Sequence, residues 1–177
     1  MKFKKGLTLI EVVVMITVLA LALPGLAFFF FNWKSSLSEM RLRSLGSRLA
    51  YDLMEEIASK KWDENSTTGP LADGSKTLPA NLGPESGESR YSGGANTFDD
   101  VDDYHGLSEI PLRDSQGAIL SAFSGFTRTV SVTYVADTNL DAPVTSVPPT
   151  HYKRVVVTVS WEGGSQSVDI VNLFSNH

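Results

Sequence analysis

Residues 7–31 read LTLIEVVVMITVLALALPGLAFFFF, behind a short basic lead that carries Lys2, Lys4, Lys5 and Gly6. Twenty of those 25 positions are Ala, Val, Ile, Leu, Met or Phe, and Glu11 is the only charge among them. As a helix the stretch is about 37 Å long at 1.5 Å per residue. A bilayer's hydrocarbon core is about 30 Å thick, so the stretch is long enough to cross it. Lysines on the short side predict that this end stays in the cytoplasm and the bulk of the chain lies across the membrane. Three readings compete: a secretory signal cut after a small-x-small site such as Ala20-Leu21-Ala22, a plain single-pass anchor, and a segment in which Gly6 and Glu11 have specific tasks. Glu11 discriminates, because a carboxylate within an apolar helix costs about 2.5–3.5 kcal/mol on insertion scales. Neither a signal peptide nor a passive anchor has a use for it. Apolar sequence also runs on past Ala22 to Phe31, longer than a signal's apolar core. Proximity of Glu11 to the lysines and the interface relieves most of the cost, so the anchor reading stays open on position alone.

Working outward, Trp33 and Lys34 close the apolar run as interface anchors do. Beyond them Leu42, Leu45, Leu49, Leu53 and Ile57 recur at spacings of three and four, with Met54 beside them. That is one apolar stripe on a helix. Arg41, Arg43, Arg48, Glu39, Asp52, Glu55, Glu56, Lys60 and Lys61 occupy the other faces, and Glu56 to Lys60 has the spacing of a favourable ion pair. No proline falls between Ser35 and Trp62. One helix is therefore expected from Leu7 to Lys61, bent near Pro24-Gly25. Residues 7–33 form its apolar half and residues 34–62 its amphipathic half, whose stripe is a packing face for a sheet.

Residues 63–177 form a separate head. In residues 63–98, 21 of 36 positions are Gly, Pro, Ser, Thr or Asn, so this is a long loop with room for a short strand near Lys76–Leu78. Next come Asp99, Asp100, Asp102 and Asp103, followed by Tyr104, His105 and Gly106. From Asp63 to Asp114 there are 11 acidic and 3 basic residues, a local net charge of −8. Two readings of the four aspartates stand: a calcium site, since hard cations take oxygen ligands, and a solvated acidic turn whose aspartates cap backbone N–H groups. EF-hand spacing is absent. The concentrated charge also suggests a partner-facing surface. Thr127–Val135 places Val130, Val132 and Tyr134 on one side, and Tyr152–Trp161 places Val155, Val157, Val159 and Trp161 on one side. Glu162-Gly163-Gly164-Ser165 is a turn, and Gln166–Phe174 returns as a hairpin. Asn139–Thr150 reads as a Pro-containing loop. The fold class is α+β: a long N-terminal helix packed on an antiparallel sheet of three or four strands.

The composition excludes several classes. With net charge −5 the chain has no basic surplus for nucleic acid. It has no cysteine, hence no disulfide and no Cys-type zinc site. His105, His151 and His177 are not spaced as zinc ligands. Neither a nucleophile elbow nor a phosphate-cradling loop is found. His105 beside the aspartates reads as a surface loop residue. The sequence points to no enzyme and to no cofactor other than a calcium ion at Asp99, Asp100, Asp102 and Asp103.

Lys4 to Glu11, Lys-Lys-Gly-Leu-Thr-Leu-Ile-Glu, resembles the class III signal of type IV pilins and type II secretion pseudopilins. That family has a short basic leader ending in Gly, a hydrophobic first mature residue and a Glu at the fifth mature position. Gly6, Leu7 and Glu11 match these in turn. Leu7 stands where Phe is usual, and Pro24 lies off the family's usual bend position. The resemblance implies that residues 1–6 are a leader removed by a prepilin peptidase between Gly6 and Leu7, and that the same enzyme methylates the new amine. It implies other pilin or pseudopilin subunits as partners. It places the subunit in the inner membrane, with its head in the periplasm, before it enters a pilus or pseudopilus. Glu11 would pair there with a neighbour's terminal amine, offsetting the burial of both charges and setting register. Loss of Lys2, Lys4 and Lys5 would take the net charge from −5 to −8. A looser resemblance links Leu53, Glu55, Glu56 and Ile57, then Asp102, Asp103, Tyr104 and Gly106, to minor pilins of the mannose-sensitive haemagglutinin D type. Many major pilins close a C-terminal loop with a disulfide; a chain without cysteine departs from that and is compatible with a minor subunit. The alternative class is a membrane-anchored extracytoplasmic binding domain that does not polymerise.

Overall fold

The computed structural model of the chain describes residues 8–66, 69–91 and 94–176, with residues 34–36 described by their backbone alone. The chain divides into two compact units, Met1–Leu42 and Arg43–His177. Helix α1, Leu9–Ala58, runs through the boundary and contains Pro24. Helical assignment is continuous across Pro24-Gly25, although proline removes one N–H donor there. At the other end α1 stops three residues short of Lys61. A last turn forms from the Ser59 and Lys60 N–H groups to the carbonyls of Glu55 and Ile57, at 3.1 and 3.0 Å. Lys61 then pairs with the acidic run: its N–H donates to Asp99 O at 3.2 Å, and Val101 N–H donates to Lys61 O at 3.0 Å.

Within the second unit the end of α1 packs on an antiparallel sheet. Its strands are β1 (Ser108–Glu109), β2 (Thr127–Ala136), β3 (Asn139–Pro143), β4 (Tyr152–Trp161) and β5 (Gln166–Ser175), in the order β1-β2-β4-β5 with β3 also on β2. β4 is central, paired along its length with β2 and β5. β1 and β3 share the other edge of β2. Among the described residues five strands stand where three or four are expected. The extra ones are a two-residue strand and β3, which contains Pro143 and lies in the stretch read as a loop. Pro143 sits at a strand end, where a missing ladder donor is tolerated. Lys76–Leu78 is not a strand; it lies between short 3₁₀ turns at Asp73–Ser75 and Pro79–Asn81.

The core follows the two periodicities. Leu49, Leu53, Met54 and Ile57 of the helical stripe are buried, with Ala50. Opposite them lie Val130, Val132 and Tyr134 of β2 and Val155, Val157, Val159 and Trp161 of β4, all buried. Removing a side chain of this kind costs about 2–5 kcal/mol. Helix and sheet are in close contact at Gly46, where an added Cβ would sit 2.9 Å from Trp161 Cζ3 and 3.1 Å from Val168 Cγ1. Alanine is the better helix former by about 1 kcal/mol. Overpacking a buried indole costs about 1–3 kcal/mol, so Gly46→Ala is expected to lower the melting temperature of the head. An unchanged or raised melt would show that Trp161 yields freely.

No covalent link closes the chain end. Leu71 N–H donates to Asn176 Oδ1 at 2.7 Å, Asn176 Nδ2 donates to Leu71 O at 2.9 Å, and Trp62 Nε1 donates to Phe174 O at 3.1 Å. These bonds hold the end of β5 to the loop that follows the helix.

Candidate functional site

The described residues of the first unit present one exposed apolar helix. Its best 18-residue window has mean hydropathy 2.6, and none of that window is buried. Length and composition make it a helix able to cross a membrane. Leu21 is 82% exposed, and Phe28 to Phe31 are all exposed. Phe29, Phe30 and Trp33 group their rings with centroids 6.1–6.5 Å apart. Glu11 lies in the first turn of α1 and is exposed. A carboxylate there complements the helix dipole by about 0.3–1 kcal/mol. Gly6 and Leu7, the expected processing residues, lie outside the described residues.

The aspartate run of the second unit is a turn folded into the head. Asp100, Asp102 and Asp103 are each 1% exposed, so neither the solvated turn nor the partner-facing surface describes them. Their capping role is present. Asp100 Oδ1 accepts from the N–H groups of Asp102 and Asp103 at 2.8 and 3.2 Å, and Asp103 Oδ2 accepts from Asp99 and Asp100 at 2.7 and 3.1 Å. Asp102 Oδ1 pairs with the Lys153 ammonium. Asp99 pairs with Lys61 at 2.7 Å near the surface. The four carboxylates therefore point to different partners. Among the described residues, the carboxylates that gather are Glu64 with Asp99 and Asp100, and Glu85 with Glu88 and Asp103. Burial and then the neighbouring Asp102 push the Asp100 carboxyl up to about 7. Burial pushes Asp103 up to about 6, and burial with Glu88 and Asp103 nearby pushes Glu85 up to about 8.

Lys153 is the cation at the centre of this turn, fully buried. Its Nζ donates to Trp62 O at 2.7 Å, to Asp63 Oδ2 at 3.1 Å and to Asp102, and stands 4.3 Å from the centre of the Trp62 ring. Asp63 also accepts from the N–H groups of Thr77 and Asn65 at 2.9 and 3.2 Å. Burial pushes the Asp63 carboxyl up, but the Lys153 charge and these donors bring it below its ordinary 3.8.

A second buried network runs Glu56–Arg90–Glu109–Arg128. Glu56 accepts from Arg90 at 2.8 and 3.0 Å, from Asn96 Nδ2 at 3.0 Å and from the Tyr104 hydroxyl at 2.8 Å. Glu109 accepts from Arg90 and from Arg128 Nη2, the latter at 2.5 Å. Arg128 also donates to the carbonyls of Leu49 and Arg113 at 3.0 and 2.8 Å. Two acids and two bases balance, and a loop residue, Arg90, replaces Lys60 as the partner of Glu56. Lys60 instead donates to Phe98 O at 2.5 Å. Beside this network opens a cavity of about 420 Å³ with Leu45, Leu49, Leu120 and Phe123 in its walls. His105, expected at the surface, is half-buried; its Nδ1 accepts from Val132 N–H at 3.1 Å and so completes the edge of β2.

Burial pushes the Glu56 carboxyl up, but the bonds and charge of Arg90, helped by Tyr104 and Arg128, hold it below its ordinary 4.5. The unfolded chain then takes up the proton first as pH falls, so this contribution is complete above 4.5 and fades below it. The stability advantage of wild type over Glu56→Gln is expected to be full at about pH 6 and to shrink toward about pH 3. Paired urea titrations measure it; a pH-independent difference would mean the charge of Glu56 is immaterial.

No protein-family model matches the chain, no curated protein matches it, and no solved structure matches it.

Proposed function

We propose that the chain is a structural subunit of the pilin-like class, a minor pilin of a type IV pilus or a pseudopilin of a type II secretion system. One observation carries this reading. A single helix is apolar and exposed in its first half, save one carboxylate at Glu11, and supplies the core stripe of a sheet-bearing head in its second half. A passive anchor needs the first half but not Glu11, the fifth residue counted from Leu7. In this reading a prepilin peptidase cuts the Gly6–Leu7 bond and the Leu7 amine is methylated. The subunit waits in the inner membrane with its head in the periplasm. It then joins other subunits through α1, where Glu11 meets the charged terminal amine of a neighbour and each offsets the other's burial.

The mass and N-terminal sequence of the mature protein test this. A methylated N-terminus at Leu7 is the expected result. An intact Met1 would place the chain among anchored binding domains that do not polymerise, and a start near Leu23 among secreted ones.

A further inference from the structure

Residues 83–88, Gly-Pro-Glu-Ser-Gly-Glu, lie against the end of the acidic turn: a Cβ on Gly83 would stand 3.8 Å from the His105 carbonyl oxygen. The loop is closed on itself by Glu88 N–H to Glu85 O at 3.1 Å and by Glu85 N–H to Glu88 Oε2 at 3.0 Å. This brings both glutamates to Asp103, and one carboxylate oxygen from each of the three lies within 4.8 Å of the other two. Oxygens bound to one calcium ion at about 2.4 Å stand at most about 4.8 Å apart.

Asp103 supplies the independent observation. It is 1% exposed, and its Oδ2 is taken by two backbone N–H groups. Its Oδ1 is buried and has no hydrogen-bond partner. An unsatisfied buried carboxylate oxygen is costly, and the 83–88 loop sets two further acids, Glu85 and Glu88, beside this carboxylate. Among the described residues no lysine or arginine is ion-paired with any of the three. The arrangement lacks a positive charge and has the oxygen donors that a hard cation takes.

We propose that Glu85, Glu88 and Asp103 form a binding site for a divalent cation of the calcium type, which clamps the 83–88 loop onto the acidic turn. Calcium suits it better than magnesium. Calcium accepts six to eight oxygens in irregular geometry, with water filling the open side, whereas magnesium demands a tight octahedron. The site belongs to the folded head and does not depend on polymerisation or on Glu11.

The test is calcium titration of the full-length chain in detergent after chelator treatment, by calorimetry and by thermal melting, with magnesium in parallel. One site is expected, with a dissociation constant of about 10⁻⁴ to 10⁻³ M and a raised melting temperature. Glu85 is exposed and Glu88 half-exposed, so the double variant Glu85→Gln/Glu88→Gln is expected to fold, as far-UV circular dichroism will verify, and to bind at least tenfold more weakly. Asp99→Asn, in the neighbouring carboxylate group, is expected to bind as wild type does. The proposal is overturned by no heat and no melting shift up to about 10 mM calcium. It is equally overturned by undiminished binding in the double variant, by loss of binding in Asp99→Asn, or by equal responses to calcium and magnesium.

Discussion

Lys153→Met is expected to lower the stability of the head by about 3–5 kcal/mol, the cost of breaking a buried ion pair from one side. The methionine keeps the length of the stem and removes the ammonium. Asp63 and Asp102, 0% and 1% exposed, then lose their common cation, and Trp62 O loses a donor. Water cannot replace the lysine at such depth, and an ionised carboxylate without a partner is the more expensive loss. Domains of this size are stable by about 5–15 kcal/mol, so the variant stands near the edge of folding. Urea unfolding followed by tryptophan fluorescence reads the loss. Adding Asp63→Asn and Asp102→Asn to Lys153→Met is expected to recover a part, because the orphaned charges are gone. A loss below about 1 kcal/mol would show that the Lys153 cluster is not held as described.

On the pilin-like reading proposed above, Glu11→Ala is expected to reduce recovery of the subunit in sheared filaments at least tenfold while leaving it in the membrane fraction. The direction of the membrane effect separates this from a folding defect. Removing a carboxylate from an apolar helix makes insertion easier by about 2.5–3.5 kcal/mol at mid-bilayer and less near the interface. A subunit that sits in the bilayer as well as before, or better, and yet fails to assemble has lost a contact made only in the filament. Glu11→Gln keeps the shape without the charge and is expected to share the defect. Wild-type incorporation of either variant would remove the pairing role of Glu11.

Much of the fold was legible because two periodicities carry it. Of the stripe from Leu42 to Ile57, Leu49, Leu53 and Ile57 are buried and Leu42 and Leu45 half-buried, and the alternation in β2 and β4 marks buried side chains. The same parity also holds a second signal. Arg128 shares its side of β2 with Val130 and Val132, and Lys153 shares its side of β4 with Val155 and Val157. A basic residue on the apolar face of a strand calls for a buried acid. What parity cannot name is the acid. Glu109 is 19 positions from Arg128, and Asp63 is 90 from Lys153. Glu56 illustrates the same limit: local spacing favoured Lys60, four residues on, whereas the fold brought Arg90 from the loop. The aspartate run was legible as capping chemistry and not as buried, since acidic residues in a loop of Gly, Ser and Asn ordinarily face water.

The amide clasp between Leu71 and Asn176 has a consequence for how the head opens. The bonds that tie down the end of β5 are reversible and contain nothing that a thiol can exchange. The end of the strand can therefore release and reclose as a local fluctuation, below the free energy of global unfolding. Refolding from denaturant needs no oxidant and no isomerase of disulfides, and the head will keep its melting temperature in strong reductant. Asn176→Ala removes both side-chain bonds to Leu71 and is expected to speed amide exchange in the last residues of β5, with the ladder to β4 kept.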